Sequence, residues 1–504
     1  MHRNEYGKEA AVTLAILATS LLLAKYGLSS RKHFFIFFGA AAFMALAVRR
    51  PHWFIYLTVT TAFLTVPQGV KTAYHPGIYT VPFYEFSLVA SVIFCALKLT
   101  VHRAVIAASL TLAALVALGV VLGTAHHGDQ EFIISQSQIL LDAAGAIFVA
   151  GSVLGSRYQQ GVVDTVRRVL WFSAFLVLVS AATGLALVGR SEEAHLGNQV
   201  EDATRLITST QFLALAVVCF SLAVVLPGKM RFRALAPYFA PALLMLLFAF
   251  SRNTLIALGV GVVFTLIGSR ETVTTFAGRL IAGTVMAGSM ALASTFILAG
   301  TPLGNFSARQ ATAFQVRVLG GLTTSSLDAD PSILARNREN AAMLARIPDS
   351  LLVGHGFGFA YRAGTGVSPG YVLSGQNSTN HFDAVQSRYY VHNLYLWLLG
   401  QSGVLGVVLI IVAMVRPVLT ALSPKSSKHL ALGAVGAAFL AICLVTPMLE
   451  DPISSLLIGC VIGALISART AVQAGENLPG LPTRKELNRP EVTVGRRVSA
   501  RGVS

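Results

Sequence analysis

The sequence predicts an all-α, polytopic transmembrane helix bundle of about 12–14 spans with one large, partly helical external loop. Three observations predict it. Of 504 residues, 54% are hydrophobic and 12% charged, about half the charged share of a soluble domain. Apolar runs such as Ala104 to Gly123, Trp171 to Gly189, Leu206 to Leu226 and Leu280 to Ala299 are each long enough to cross a hydrocarbon core of about 30 Å. Lys and Arg gather in the short connectors between runs, which is the positive-inside pattern of membrane proteins.

In chain order, Ala10 to Ala24 reads as the first span, since no cleavable signal pattern precedes it. His33 to Val48 and Thr254 to Ile267 are short and fit paired or re-entrant segments. Basic connectors mark the cytoplasmic side: Arg49-Arg50, Lys98 with Arg103, Arg157 with Arg167-Arg168, Lys229 to Arg233, and Arg416 with Lys425 and Lys428. The connectors Gly123 to Gln138 and Arg190 to Arg205 are acidic in balance and mark the outside. Alternation then puts both termini in the cytoplasm and Gly300 to Val391 outside. Lys25, Arg31 and Lys32 fall outside in this scheme; either the first hairpin is misassigned or they serve anionic headgroups.

Four regions follow: helices over 1–299, the loop over 300–391, further helices over 392–467, and a basic tail over 468–504. The tail's prolines and arginines predict a disordered cytoplasmic segment drawn to anionic lipid. The net charge of +16 thus belongs to membrane surfaces and excludes nucleic acid as the partner. Cys95, Cys219, Cys443 and Cys460 all sit in apolar runs, where a thiol packs as a small hydrophobe.

The large loop has a helix of its own. Asp330-Pro331 reads as an N-cap followed by proline at the first helical position. The helix continues from Ser332 to about Ile347 and stops before Pro348. Gly354-His355-Gly356-Phe357-Gly358 then reads as a flexible turn, and Gly364 to Asn380 as a mobile lid or entry gate.

The loop's cations are all arginine: Arg309, Arg317, Arg336, Arg338, Arg346, Arg362 and Arg388. A guanidinium fork grips phosphate oxygens in pairs, whereas an ammonium acts as a point charge. Pairing with Asp328, Asp330, Glu339, Asp349 and Asp383 is the plainer reading of most of them. Arg252, in Phe250-Ser251-Arg252-Asn253, interrupts two apolar runs on the external side. A cation there either serves function or reaches for headgroups.

His392 closes the loop and supplies a group that exchanges protons near neutrality. Its neighbour Asn393 either orients the ring or binds substrate, and Tyr395 binds substrate or joins an interfacial aromatic belt with Trp397. Arg338, Arg388 and His355 complete the substrate-binding candidates. Asp328-Ala329-Asp330 is a weak match to a metal-binding acidic pair, and neither a metal nor a cofactor is expected. Glu85 and Asp142 lie within apolar runs, where a charge is costly.

Three of these pieces together resemble the O-antigen ligase and O-antigen polymerase superfamily. His392-Asn393, nine residues, then Gly403-Val404-Leu405-Gly406 is similar to its histidine motif. Arg336 to Leu344 leading to Gly354-His355-Gly356 resembles its arginine-headed loop helix and G-x-G turn. Ser251-Arg252 resembles its Ser-Arg step. The likeness spans roughly Leu243 to Met414; it departs where Asn340 stands for a frequent tryptophan and where proline is missing near Leu351.

The resemblance implies a GT-C-like, metal-independent, inverting glycosyltransferase of the inner membrane. Its donor would be a glycan on a polyprenyl diphosphate, its acceptor a hydroxyl of a glycan, lipid core or other molecule. Arg252 and Arg336 would hold the diphosphate and His392 would activate the acceptor. Ligase and polymerase share this chemistry, and the sequence leaves both open. A transporter or lipid flippase is the rival class, and it would need paired intramembrane charges and broken helices.

Overall fold

A computed structural model of the chain describes residues 45–74 (except 47), 81–193, 204–249, 251–269, 271–283, 331–361, 389–424, 426–445 and 451–473, with isolated positions between 301 and 315. The fold is an all-α helical bundle of membrane-protein type. Among the described residues, six helices are long and apolar enough to cross a membrane.

The helices are α1 (Trp53–Phe63), α2 (Phe83–Lys98), α3 (Arg103–Ala125), α4 (Gln130–Val153), α5 (Gln159–Thr183), α6 (Gln211–Val225), α7 (Phe232–Ala249), α8 (Arg252–Ser269), α9 (Pro331–Leu344), α10 (Leu394–Ile410), α11 (Arg416–Thr420), α12 (Ser427–Ile442) and α13 (Pro452–Gln473). A π-helical stretch, Ile411–Val415, joins α10 to α11. Two small antiparallel hairpins, Ala73–Tyr74 with Val81–Pro82 and Gly189–Glu193 with Thr204–Thr208, fill connectors.

Local chemistry sets the helix ends. Asp129 caps α4 by accepting from the Glu131 amide at 3.0 Å, which leaves only a short link from α3. Asp451 caps α13 through the Ser454 amide at 2.8 Å, with Pro452 at the first helical position. Gly184 ends α5 in the left-handed conformation, φ 73°, as a helix C-terminus favours.

Several boundaries differ from the sequence reading. The helix expected from Trp171 begins at Gln159, because Arg167 and Arg168 ride on its polar first turns. The run from Leu206 opens as a strand before α6. Thr254 to Ile267, read as short, belongs to an 18-residue helix. Ala10 to Ala24, Lys25, Arg31, Lys32, most of His33 to Val48 and of Leu280 to Ala299, Gly364 to Asn380, and the basic tail beyond 473 lie outside the described residues.

Small residues set the helix packing. Gly459 and Gly463 of α13 lie against the Ala143 and Ile147 carbonyls of α4. Ser455 donates to the Ile139 carbonyl at 2.7 Å, so α13 and α4 run parallel. In contrast α8 and α12 run antiparallel: Gly268 meets Leu430, and Gly261 meets Ala434 and Ala438. None of the four cysteines forms a disulfide, and Cys219 fills the space beside Gly261.

These directions gather one set of segments at one end of the bundle. The α3–α4 link, the Gly189–Thr208 hairpin, the start of α8, helix α9 and the starts of α10 and α13 all lie there. Arg50, Lys98, Arg103, Arg157 and the Lys229–Arg233 connector lie at the opposite end.

Candidate functional site

Helix α9 enters the bundle beside α10. Glu339, Met343 and Ile347 recur every four residues and are 6%, 0% and 7% exposed, so a carboxylate occupies a core position of an otherwise apolar stripe. Met343 packs on Gly400. One turn earlier in the chain, Glu339 meets His392: Oε2 stands 2.7 Å from Nδ1 and accepts the His392 backbone amide at 3.4 Å. The Glu339 side chain is 7% exposed and that of His392 35%. A buried carboxylate therefore fixes one ring nitrogen. With Nδ1 held by Glu339, Nε2 is the ring nitrogen left for another partner.

The approach to His392 is equally fixed. Trp397 Nε1 donates to the Tyr389 carbonyl at 3.0 Å. The Tyr389 ring stacks on Phe132 of α4, and its hydroxyl donates to Asp129 at 3.2 Å. Val391 is completely buried. Asn393 caps α10 by accepting the Tyr395 and Leu396 amides at 3.1 and 3.3 Å. These contacts hold the histidine just before a helix start.

Below the histidine, α10 is broken. Gly403 has φ 61° and ψ −166°, a conformation open essentially to glycine alone. The break frees the Gly400 and Gln401 carbonyls, which accept the His355 and Gly356 amides at 3.0 and 2.8 Å. It also frees the Val404 and Leu405 amides, which donate to Leu351 and Leu352 at 2.9 and 3.1 Å. A non-helical segment is tolerated inside a membrane bundle when its backbone groups are paired in this way. Gly403 and Gly406, read from sequence as two glycines one helical turn apart, thus have different jobs. Gly403 makes the break, and Gly406 admits Leu115 and the Ser402 side chain.

The Gly354–Gly358 segment is rigid, which corrects the expectation of a flexible turn. All three of its glycines have positive φ, from 75° to 86°, and a Cβ at any of them would overlap neighbouring backbone. Phe357 is fully buried, donates its amide to Gly119 at 2.8 Å and stacks near-parallel to Trp397. Gln136 of α4 accepts the Gly358 amide at 2.9 Å and donates to Tyr389 at 3.4 Å. The turn locks α9, α10, α3 and α4 together.

The other candidates are distributed around this centre. Arg336 lies one turn before Glu339 on the same helix face and is half-buried, whereas Arg338 is exposed. Arg252 is the first residue of α8. Because α8 runs antiparallel to α12, it comes level with the end of α12, where Cys443 accepts the Leu394 amide at 3.0 Å. Arg252 and His392 therefore share one end of the bundle.

His355 is held by structure: its Nε2 pairs with the Arg346 carbonyl at 3.0 Å, and its ring stacks on Phe359. Tyr395 donates to the Leu440 carbonyl at 2.8 Å. Arg388, Arg309, Arg317, Arg362, Asp328, Asp330, Asp383 and Glu450 lie outside the described residues.

A second polar group lies within the bundle. Tyr84 donates to Asp142 at 2.7 Å, and Gln138 donates to Glu85.

Sequence reasoning missed Glu339, which it treated as one of several counter-ions for the arginines. Its place among Met343 and Ile347 was the available signal. Compared with protein-family models and with curated proteins, the chain matches none.

Proposed function

We propose that this chain is an integral-membrane glycosyltransferase that moves a glycan from a polyprenyl-diphosphate carrier to an acceptor hydroxyl. The observation that carries the reading is the His392–Glu339 pair at 2.7 Å, with the carboxylate buried and the ring partly open. A histidine oriented by a buried carboxylate is the arrangement of a general base. Arg336 on the same helix and Arg252 at the same end of the bundle are the cations for an anionic leaving group.

In the step so assigned, the acceptor oxygen attacks the anomeric carbon from the face opposite the diphosphate. The new C–O bond forms as the bond to the diphosphate oxygen breaks, and that oxygen leaves with the electron pair. The hydroxyl proton passes to His392 Nε2. Arg252 and Arg336 neutralise the charge that develops on the leaving diphosphate, and the anomeric configuration inverts. Polymerase and ligase differ only in the acceptor.

A transporter is the second reading, because the break in α10 and the Glu85–Asp142 pair are features that such proteins use. Two details favour the enzyme. The carbonyls freed at Gly403 are already taken by the amides of His355 and Gly356, so they offer no ion a coordination shell. Asp142 and Glu85 have protein donors in Tyr84 and Gln138.

Incubating the purified full chain with a polyprenyl-diphosphate-linked glycan and an acceptor glycan tests the reading. It expects release of polyprenyl diphosphate together with a lengthened acceptor. Carrier-linked glycan that persists unchanged with every acceptor class would overturn it.

A further inference from the structure

The end of the bundle opposite His392 holds side chains that the proposed reaction leaves unused. His52 stands just before α1, Arg157 and Tyr158 just before α5, and Phe94 near the end of α2. The His52 ring stacks on Tyr158, with centroids 5.0 Å and planes 20° apart. It meets Tyr56 edge-on at 6.1 Å. The Arg157 guanidinium lies 4.9 Å from the Tyr158 ring centre and donates to that residue's hydroxyl at 2.7 Å. The Arg50 guanidinium lies 5.8 Å from the centre of the Trp53 ring. Gly161, in the first turn of α5, lets that helix close on the Tyr56 hydroxyl, where a Cβ would collide.

Aromatic rings thus hold two guanidiniums and an imidazole in one place, with no counter-charge among the described residues. Among the described residues the ion pairs are Arg167–Asp164, Lys229–Glu271 and His392–Glu339, and neither Arg50 nor Arg157 belongs to them. Burial, then Arg50, then Arg157, lowers the His52 pKa from its ordinary value, as expected where positive potential is in excess. Cationic heads set on aromatic platforms, with no carboxylate partner among the described residues, suit an anion with several acceptor oxygens.

We propose that Arg50, His52, Arg157 and the Tyr158 hydroxyl form a phosphate-binding cradle at this surface of the membrane. Its position favours a phosphate carried by an anionic lipid. Trp53 is 45% exposed at a helix end, as interfacial tryptophans are. Further along α5, Trp171, Phe172 and Phe175 expose half or more of their surface, an apolar surface open to acyl chains. The cradle is separate from the His392 site and stands whether or not glycosyl transfer is the activity.

The test is retention of phosphatidylglycerol by the purified full chain in neutral detergent, read by native mass spectrometry. Arg50→Gln combined with Arg157→Gln is expected to reduce retention about tenfold, the scale of about 1.4 kcal/mol. Arg168→Gln, an exposed cation on the same helix but outside the cradle, is expected to leave it unchanged. Excess inorganic phosphate distinguishes the sources. Persistence of bound lipid supports a headgroup as occupant, and displacement supports free phosphate in the same cradle. Equal retention by the double variant and the wild type, equal loss with Arg168→Gln, or binding of neither probe by the wild type overturns the proposal. Both arginines are exposed, and an unchanged thermal unfolding curve verifies that their replacement leaves the bundle intact.

Discussion

His392 Nδ1 lies 2.7 Å from Oε2 of Glu339, a residue 53 positions earlier in the chain. The carboxylate is buried and the imidazole is not, so the pair is directional: Glu339 holds the ring and Nε2 is left for chemistry. Glu339→Gln keeps the volume but lets an amide present its NH₂ to the ring, which removes the bias toward one tautomer. The expected result is a fall in kcat of about 10²-fold with little change in KM, the scale seen when a group that orients a histidine is lost. ¹⁵N NMR of the labelled histidine should lose the single-tautomer signature at the same time. A normal kcat in Glu339→Gln would mean that the pair is only structural.

Arg336→Lys tests the diphosphate grip. Lysine keeps the charge but replaces a planar fork by a point donor. Transfer should fall roughly tenfold or more, since one charge-assisted hydrogen bond is worth about 1.5–3 kcal/mol. Wild-type rates across donor concentrations would remove Arg336 from the donor site.

Gly403→Ala tests the break in α10. The backbone there is closed to other residues, at a cost of about 1–3 kcal/mol, and the added Cβ would also overlap Leu352. A lower unfolding temperature in detergent is expected. Gly69, with nothing within 4 Å of an added Cβ, is the matched control and should tolerate alanine.

Phe357→Ala tests whether the Gly354–Gly358 turn is a rigid lock. The ring is fully buried against Gly119 and Trp397, so its removal should cost about 3–5 kcal/mol. Native-like stability in this variant would return the turn to the status of a mobile loop.

Asp142→Asn separates the two functional readings. The amide oxygen still accepts from Tyr84, so the packing is kept and the ionisable carboxyl is removed. Glycosyl transfer should survive this change; proton- or ion-coupled transport would not.

The helical bundle was legible because an apolar run of helix length has few alternatives in a chain this poor in charge. His392, Arg336 and Arg252 stood out in the sequence because each broke a local pattern. What sequence could not supply was the approach of Glu339 to His392. Glu339 looked like a surface counter-ion because the packing of α9 on α10 decides its burial, and no spacing rule links residues 339 and 392. Gly403 read as part of a continuous helix because a break filled by another segment leaves the apolar run intact. Gly354, Gly356 and Gly358 suggested freedom, whereas their positive φ values and tight neighbours make them constrained positions.

The most direct test of the central claim is the lipid-linked glycan profile of cells in which His392→Ala replaces the native residue. The account predicts that the mutant protein reaches the membrane and that glycan accumulates on the polyprenyl carrier, as finished chains for a ligase or single repeat units for a polymerase. An unchanged profile, with the mutant protein present in the membrane at wild-type levels, would contradict it.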